Sequence, residues 1–334
     1  MKRVPHPTGV DIIFDSKWHQ YKIGNTTLRS VSKLLDKHFP FEEKRMLAVV
    51  SKKTGQSVEE IKAGWNRQAL LGKNIHEYIE NKLCGRPPPT WTLLLKRQQQ
   101  QEKAQKEAAA AAKKNRRGGK KKTDASDKAA EAAASKTDAT SLVGAMLHGD
   151  EAAYMAVADR VVDTITSNYD VVAVEQVIAS PTWGIGGTVD FIARNRRTQK
   201  LLIGDWKTSG SVASAFRFGA FETPCCGCLM HLPNSKFHRY AMQVIIYGEI
   251  LKREGYLRDG FFGRTVVPLS ANVTDVRVAA RDMHDALEYG IVQLSKREDG
   301  GVGAEFKRVT EATVLPVDAC DVTFMQLLQN VMRG

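Results

Sequence analysis

"LLIGDWKTS" (residues 201–209) runs from three apolar residues through a glycine into Asp205-Trp206-Lys207. The apolar start reads as a buried strand, and its end is charged. Side chains alternate faces along a strand, so Asp205 and Lys207 share one face and Trp206 takes the other. The preceding β-rich run, "GGTVDFIAR" (186–194), carries one acid, Asp190, and "NRRTQ" (195–199) separates the two runs. A hairpin folded about the midpoint of 197 and 198 sets Asp190 directly across from Asp205. Directly opposed Cβ atoms lie about 5 Å apart, and a slip of one residue destroys the pairing. This register puts two carboxylates and an ammonium on one face.

Upstream, "DVVAVEQVIAS" (170–180) is a third β-rich run, with Glu175 among apolar neighbours. "GDEAAYMAVADRVVDTITSNY" (149–169) has the helical stripe Tyr154, Ala158, Val161, Ile165. "WHQYKIGNTTL" (18–28) predicts a hairpin about Gly24-Asn25, and "SVSKLLDKHF" (30–39) a short helix ending before Pro40. Ser57 and Glu60 form a capping box that opens a long helix to about Cys84. Downstream, "SKFHRYAMQVIIYGEILKREG" (235–255) predicts a helix, "GFFGRTVVPLS" (260–270) a strand, and "DVRVAARDMHDALEYGIVQL" (275–294) a last long helix. Helices around short strands predict an α/β domain with a central mixed β-sheet flanked by helices and an N-terminal helical part.

Residues 96–140 break this pattern. The stretch is built of Ala, Lys and Gln, with almost nothing large and apolar to pack. Residues 96–139 hold 13 Lys/Arg against 6 Asp/Glu, more than half of the chain's net +12. The expected organisation is residues 1–95 with a hairpin and helices, a disordered insertion over 96–140, and 141–334 as the core. A basic balance favours a polyanion such as nucleic acid, although a solvated insertion accounts for much of it. No apolar run reaches membrane-spanning length, and the N-terminus lacks the apolar core of a signal peptide. Five cysteines, three crowded at 225, 226 and 228, do not form a disulfide framework. The expected setting is intracellular, nucleus or mitochondrion undecided. Cys225 and Cys228, with His231 and His238 beyond, have zinc-like spacing; reduced thiols in a loop are the expectation.

Two neighbouring carboxylates repel unless something positive lies between them. Lys207 is one such charge and a divalent cation is a stronger one. Mg²⁺ or Mn²⁺ takes one or two carboxylates and leaves coordination for water and a phosphate. Gly72, His76 and Glu80 recur every four residues, so they line one helix face. His76 can supply a nitrogen ligand, Glu80 can orient it, and Gly72 allows close approach. Gln243 and Tyr247 are likewise four apart. Asp205 and Lys207 alone also fit an exposed ion pair, worth under about 1 kcal/mol; the accompanying acids and His76 favour chemistry.

Asp190, 14 intervening residues, then Asp205-Trp206-Lys207 resembles the PD-(D/E)XK nuclease signature. Gly72-x-x-x-His76-x-x-x-Glu80 and Gln243-x-x-x-Tyr247 are similar to the RecB-like branch, which includes exonuclease V and the mitochondrial genome maintenance exonucleases. The likeness covers most of the chain outside 96–140. It implies a restriction-endonuclease-like core and a Mg²⁺- or Mn²⁺-dependent nuclease acting on DNA more readily than RNA. It implies His76, Asp190, Asp205 and the Trp206 carbonyl as metal ligands, Lys207 as catalytic lysine and Glu175 as auxiliary acid. Glu80, Gln243, Tyr247 and Thr208 are the implied substrate-binding residues. The signature's Pro-Asp is Val189-Asp190 here, and the Lys/Ala insertion has no counterpart in the family pattern. The alternatives are a catalytically inactive nucleic-acid-binding module on the same fold, and a scaffold acting through the basic insertion.

Overall fold

The computed structural model describes residues 1–97, 99, 100, 103, 107, 150–209, 223–258, 261–262, 286–315 and 323–333. Four short strands open the chain: β1 (Lys2–Val4), β2 (Ile12–Asp15), β3 (Gln20–Ile23) and β4 (Thr26–Ser30). β3 and β4 form the expected hairpin, with Ile23 opposite Thr26 and Gly24 at φ +54° in the turn. That left-handed conformation suits glycine. The Ser30 side chain then caps α1 (Val31–Asp36). α2 (Glu43–Thr54) precedes α3 (Val58–Leu83), which starts at the predicted Ser57/Glu60 capping box.

After the insertion, most of which lies outside the described residues, α4 (Glu151–Asn168) leads into β5 (Tyr169–Ser180), β6 (Ile185–Asn195) and β7 (Leu201–Lys207). α5 (Lys236–Arg253) follows, then β8 (Leu287–Lys296), β9 (Val302–Val309) and α6 (Phe324–Arg333). The end of the expected last helix is thus a strand. Residues 287–296 contain a run with buried Gly290, Ile291, Val292, Gln293 and Leu294, and a continuous buried run suits a strand flanked on both sides. Residues 275–285 of that expected helix, and 263–270 of the expected strand before it, lie outside the described residues.

The strands form one mixed nine-stranded sheet, with β5 paired to β6 off the main path. Helices cover both faces. α1, α5 and α6 pack with Ile192, Leu201 and Ile203 on one face; α3 and α4 pack with Phe191, Leu202 and Trp206 on the other. This is the α/β architecture with a helix-flanked mixed sheet that the sequence predicts.

β6 and β7 pair antiparallel with Phe191 opposite Gly204 and Arg194 opposite Leu201, the register that places Asp190 across from Asp205. The edge of β6 is shared. β4 holds its start in parallel, at Ile185 and Gly186, and β7 holds its end from Phe191 onward. Between them β6 has no ladder partner on that edge among the described residues. The Trp206 amide there donates to the Asp190 side chain, to Oδ2 at 2.7 Å. A buried N–H needs an acceptor, and a side chain supplies it where the strands splay. The fork positions the site.

Candidate active site

β5, β6 and β7 each bring one acid to the fork. Val174 pairs with Phe191 and Gln176 with Val189, so Glu175 stands opposite Asp190. Asp190 in turn stands opposite Asp205. Glu175 sits at φ +49° in the middle of its strand. Such a conformation costs a non-glycine residue about 1 kcal/mol or more and concentrates at functional sites. α3 delivers His76 from above, with Nδ1 3.8 Å from Asp190 Oδ2. One ligand atom from each of His76, Glu175 and Asp190 lies within 4.8 Å of the others.

Asp205 stands outside that trio. It is 1% exposed, and Lys207 Nζ lies 2.7 Å from its Oδ2. A carboxylate so deeply buried needs a counter-charge, and the ammonium supplies it. Lys207 Nζ also lies 4.6 Å from the centre of the Tyr240 ring, a cation–π contact. Tyr240 is the residue the sequence reading missed. It precedes Gln243 by three on α5, so the helical period places Tyr240, Gln243 and Tyr247 on one face, and that spacing was the available signal.

Burial dominates the electrostatics. It raises Asp205 to about 6, with the Lys207 charge pulling the other way and Asp190 adding to the rise. It raises Glu175 to about 8, assisted by Asp190 and Glu80. Asp190 is also raised by burial, against the pull of Lys207 and the Trp206 amide. Burial, with the Lys207 charge adding to it, lowers His76 to about 4. The imidazole is therefore neutral at pH 7, the form that ligates metals. Burial works against the Lys207 ammonium, but Asp205 and Asp190 outweigh it and hold the charge beyond the ordinary lysine range.

The remaining expected residues divide. Tyr247 is buried, accepts a 2.8 Å hydrogen bond from Gln243 Nε2 and lies close enough to Asp205 to feel its charge. Its ring fills the space over Gly187, where a Cβ would come within 2.4 Å. Gln243 and Tyr247 thus form the wall of the site. The Trp206 backbone lies near enough to the His76 ring to raise its pKa against the effect of burial. Glu80 is ion-paired with Arg86. Thr208 is buried, its carbonyl accepts from Gln68 Nε2 at 2.6 Å, and its Oγ1 packs over Gly72. The close approach that Gly72 permits is therefore by Thr208. Among the described residues no cysteine joins a metal-compatible trio; Cys225 is buried and donates to the Pro233 carbonyl at 3.4 Å.

A neutral imidazole and two carboxylates at this spacing fit a hard or borderline divalent cation such as Mg²⁺ or Mn²⁺. The buried acids burden the metal-free fold. Glu175 has a folded pKa of about 8, above its unfolded value. Its folded state therefore binds an extra proton in between, and stability falls as pH rises through that range. In chelator, the melting temperature of the wild type is expected to drop between pH 5 and pH 8, and Glu175→Gln to flatten that slope. Mn²⁺ at pH 8 raises the wild-type melting temperature and leaves Glu175→Gln nearly unchanged. A wild-type profile identical to the variant's, with no Mn²⁺ effect, removes Glu175 from the site.

No protein-family model matches this chain, and no curated protein matches it.

Proposed function

We propose that the protein is a metal-dependent phosphodiester hydrolase acting on nucleic acid, with DNA as its substrate. The observation that carries the reading is the convergence of His76, Glu175 and Asp190, within 4.8 Å of one another, beside the Asp205–Lys207 pair. The resemblance of the same ordered residues to the PD-(D/E)XK pattern supports it, as does the basic balance of the chain.

His76, Glu175 and Asp190 would hold Mg²⁺ or Mn²⁺. When bound, the cation neutralises charge on a phosphoryl oxygen and lowers the pKa of water. Lys207, kept charged by Asp205 and Asp190, offers a fixed ammonium to the charge that develops on the phosphate. Asp205 orients that ammonium, and Tyr240 confines it from the side. Trp206, stacked on Phe191 with ring centroids 4.4 Å apart, anchors the strand that carries both.

The test is cleavage of end-labelled single-stranded and duplex DNA with Mg²⁺, Mn²⁺ or EDTA. Metal-dependent products from wild type, absent in EDTA, are expected. The product ladder then distinguishes trimming from an end and internal cutting. Tight binding without cleavage under every metal condition would sink the hydrolase reading in favour of a binding module.

A further inference from the structure

A cavity of about 820 Å³ opens between α4 and strands β8 and β9. It lies on the sheet face of Leu202, opposite that of Asp205, and next to the far end of the β6–β7 hairpin. Its floor is apolar: Val157, Val161 and Ile165 from α4, and Leu202 and Val292 from the sheet. β9 is an edge strand of the sheet. Phe306 stands on it beside the cavity, 51% exposed.

The rim is cationic. Arg160 comes from α4, Arg197 from the β6–β7 turn and Arg297 from the β8–β9 turn. None of the three has an ion pair or a side-chain hydrogen bond among the described residues. Arg196 beside them is already spent, donating to Asp170 Oδ1 at 2.9 Å and to the Ser167 carbonyl at 3.2 Å. The one carboxylate lining the cavity among the described residues, Glu305, lies 3.3 Å from Lys307 Nζ. Two amides complete the lip. Asn168 donates its side-chain N–H to Thr164, and the Asn195 carbonyl accepts from the Arg197 and Thr198 amides. That leaves an acceptor on Asn168 and a donor on Asn195 without a partner among the described residues.

Three guanidinium groups from separate elements, without an ion pair among the described residues, line one cavity, and one anion there can be shared by them. Guanidinium forks match phosphate geometry. An exposed aromatic ring on an apolar floor, with one acceptor and one donor at the edge, suits a flat heterocycle. A long-chain carboxylate needs one cation and has no use for the amides. We propose that this cavity is a second ligand site, separate from the carboxylate fork, and that it takes a nucleoside monophosphate with its phosphate on the arginines and its base against Phe306. The inference does not depend on the hydrolase reading.

The experiment is calorimetric titration of the full chain in EDTA, with dAMP, AMP, inorganic phosphate and dodecanoate as separate probes. Wild type, Asp205→Asn, Arg160→Gln/Arg297→Gln and Phe306→Leu are compared, each checked for an unchanged fold by circular dichroism. Nucleotide should bind wild type and Asp205→Asn alike, and bind the double arginine variant at least about tenfold more weakly. Inorganic phosphate should bind more weakly than dAMP, and Phe306→Leu should shrink that difference. The proposal is overturned by undetectable dAMP binding at about 1 mM, by binding indifferent to the arginines, or by binding lost in Asp205→Asn. Preferential binding of dodecanoate would also overturn it, in favour of an apolar-acid site.

Discussion

Lys207→Met is expected to lower metal-dependent cleavage by about 10²- to 10³-fold, the usual effect of removing one preorganised charge-stabilising donor. The methionine keeps an apolar stem of similar length and removes the ammonium from over the Tyr240 ring. It strands Asp205, which is 1% exposed and has Lys207 as its ion-pair partner. Removing one member of a buried pair costs about 3–5 kcal/mol when the other stays charged. Asp205 can escape part of that cost by protonating, since burial already raises its pKa to about 6. The single variant therefore loses both rate and stability. Adding Asp205→Asn removes the stranded charge, so the double variant should regain much of the lost stability and none of the activity. That split separates a chemical role from a structural one. Activity returning with stability in the double variant would show that Lys207 serves the fold alone.

The same pair shows what the sequence makes legible. The alternation of "LLIGDWK" puts Asp205 and Lys207 on one face, and the turn length sets Asp190 opposite Asp205; the structure has both. Helical spacing puts Gly72, His76 and Glu80 on one side of α3, but not where each ends. Gly72 receives Thr208, and Glu80 turns to Arg86. Those choices depend on residues distant in sequence, which periodicity does not register. The left-handed backbone of Glu175 was hidden for another reason, although the residue itself was a candidate. A left-handed residue inside a strand breaks no sequence rule visible in "VVAVEQVI".

The strands and helices follow the same division. Elements marked by local chemistry are legible: the Gly24-Asn25 turn and the Ser57 capping box are where the sequence places them. β8 was not, because its alternation is weak and it continues from a stretch with helical composition. Its partner β9 alternates little better, being an exposed edge. β1 and β2 were missed because three or four residues are too few to establish a period. Their identity comes from pairing with one another and from the small core around Ile12 and Tyr21.

Gly204→Ala is expected to cost the protein about 3 kcal/mol, the upper part of the range for overpacking a core. A Cβ at this position would meet the Phe191 ring at 1.9 Å. The ring cannot easily move away, because it is fully buried and stacked on Trp206. The glycine is thus the space that lets Phe191 lie flat across β7. Phe191→Leu in the same chain should recover part of the loss. Denaturant unfolding midpoints of wild type, the single variant and the double variant measure both effects. The result also bears on the site. Phe191 faces Gly204 only in the register that brings Asp190 to Asp205. A shift of one residue would turn the ring to the other face and separate the acids. An unchanged midpoint for Gly204→Ala would therefore count against the hairpin register, and with it against the three-acid fork. A large loss partly recovered by Phe191→Leu would establish that register without any assay of activity, and the site could then be judged on its chemistry alone.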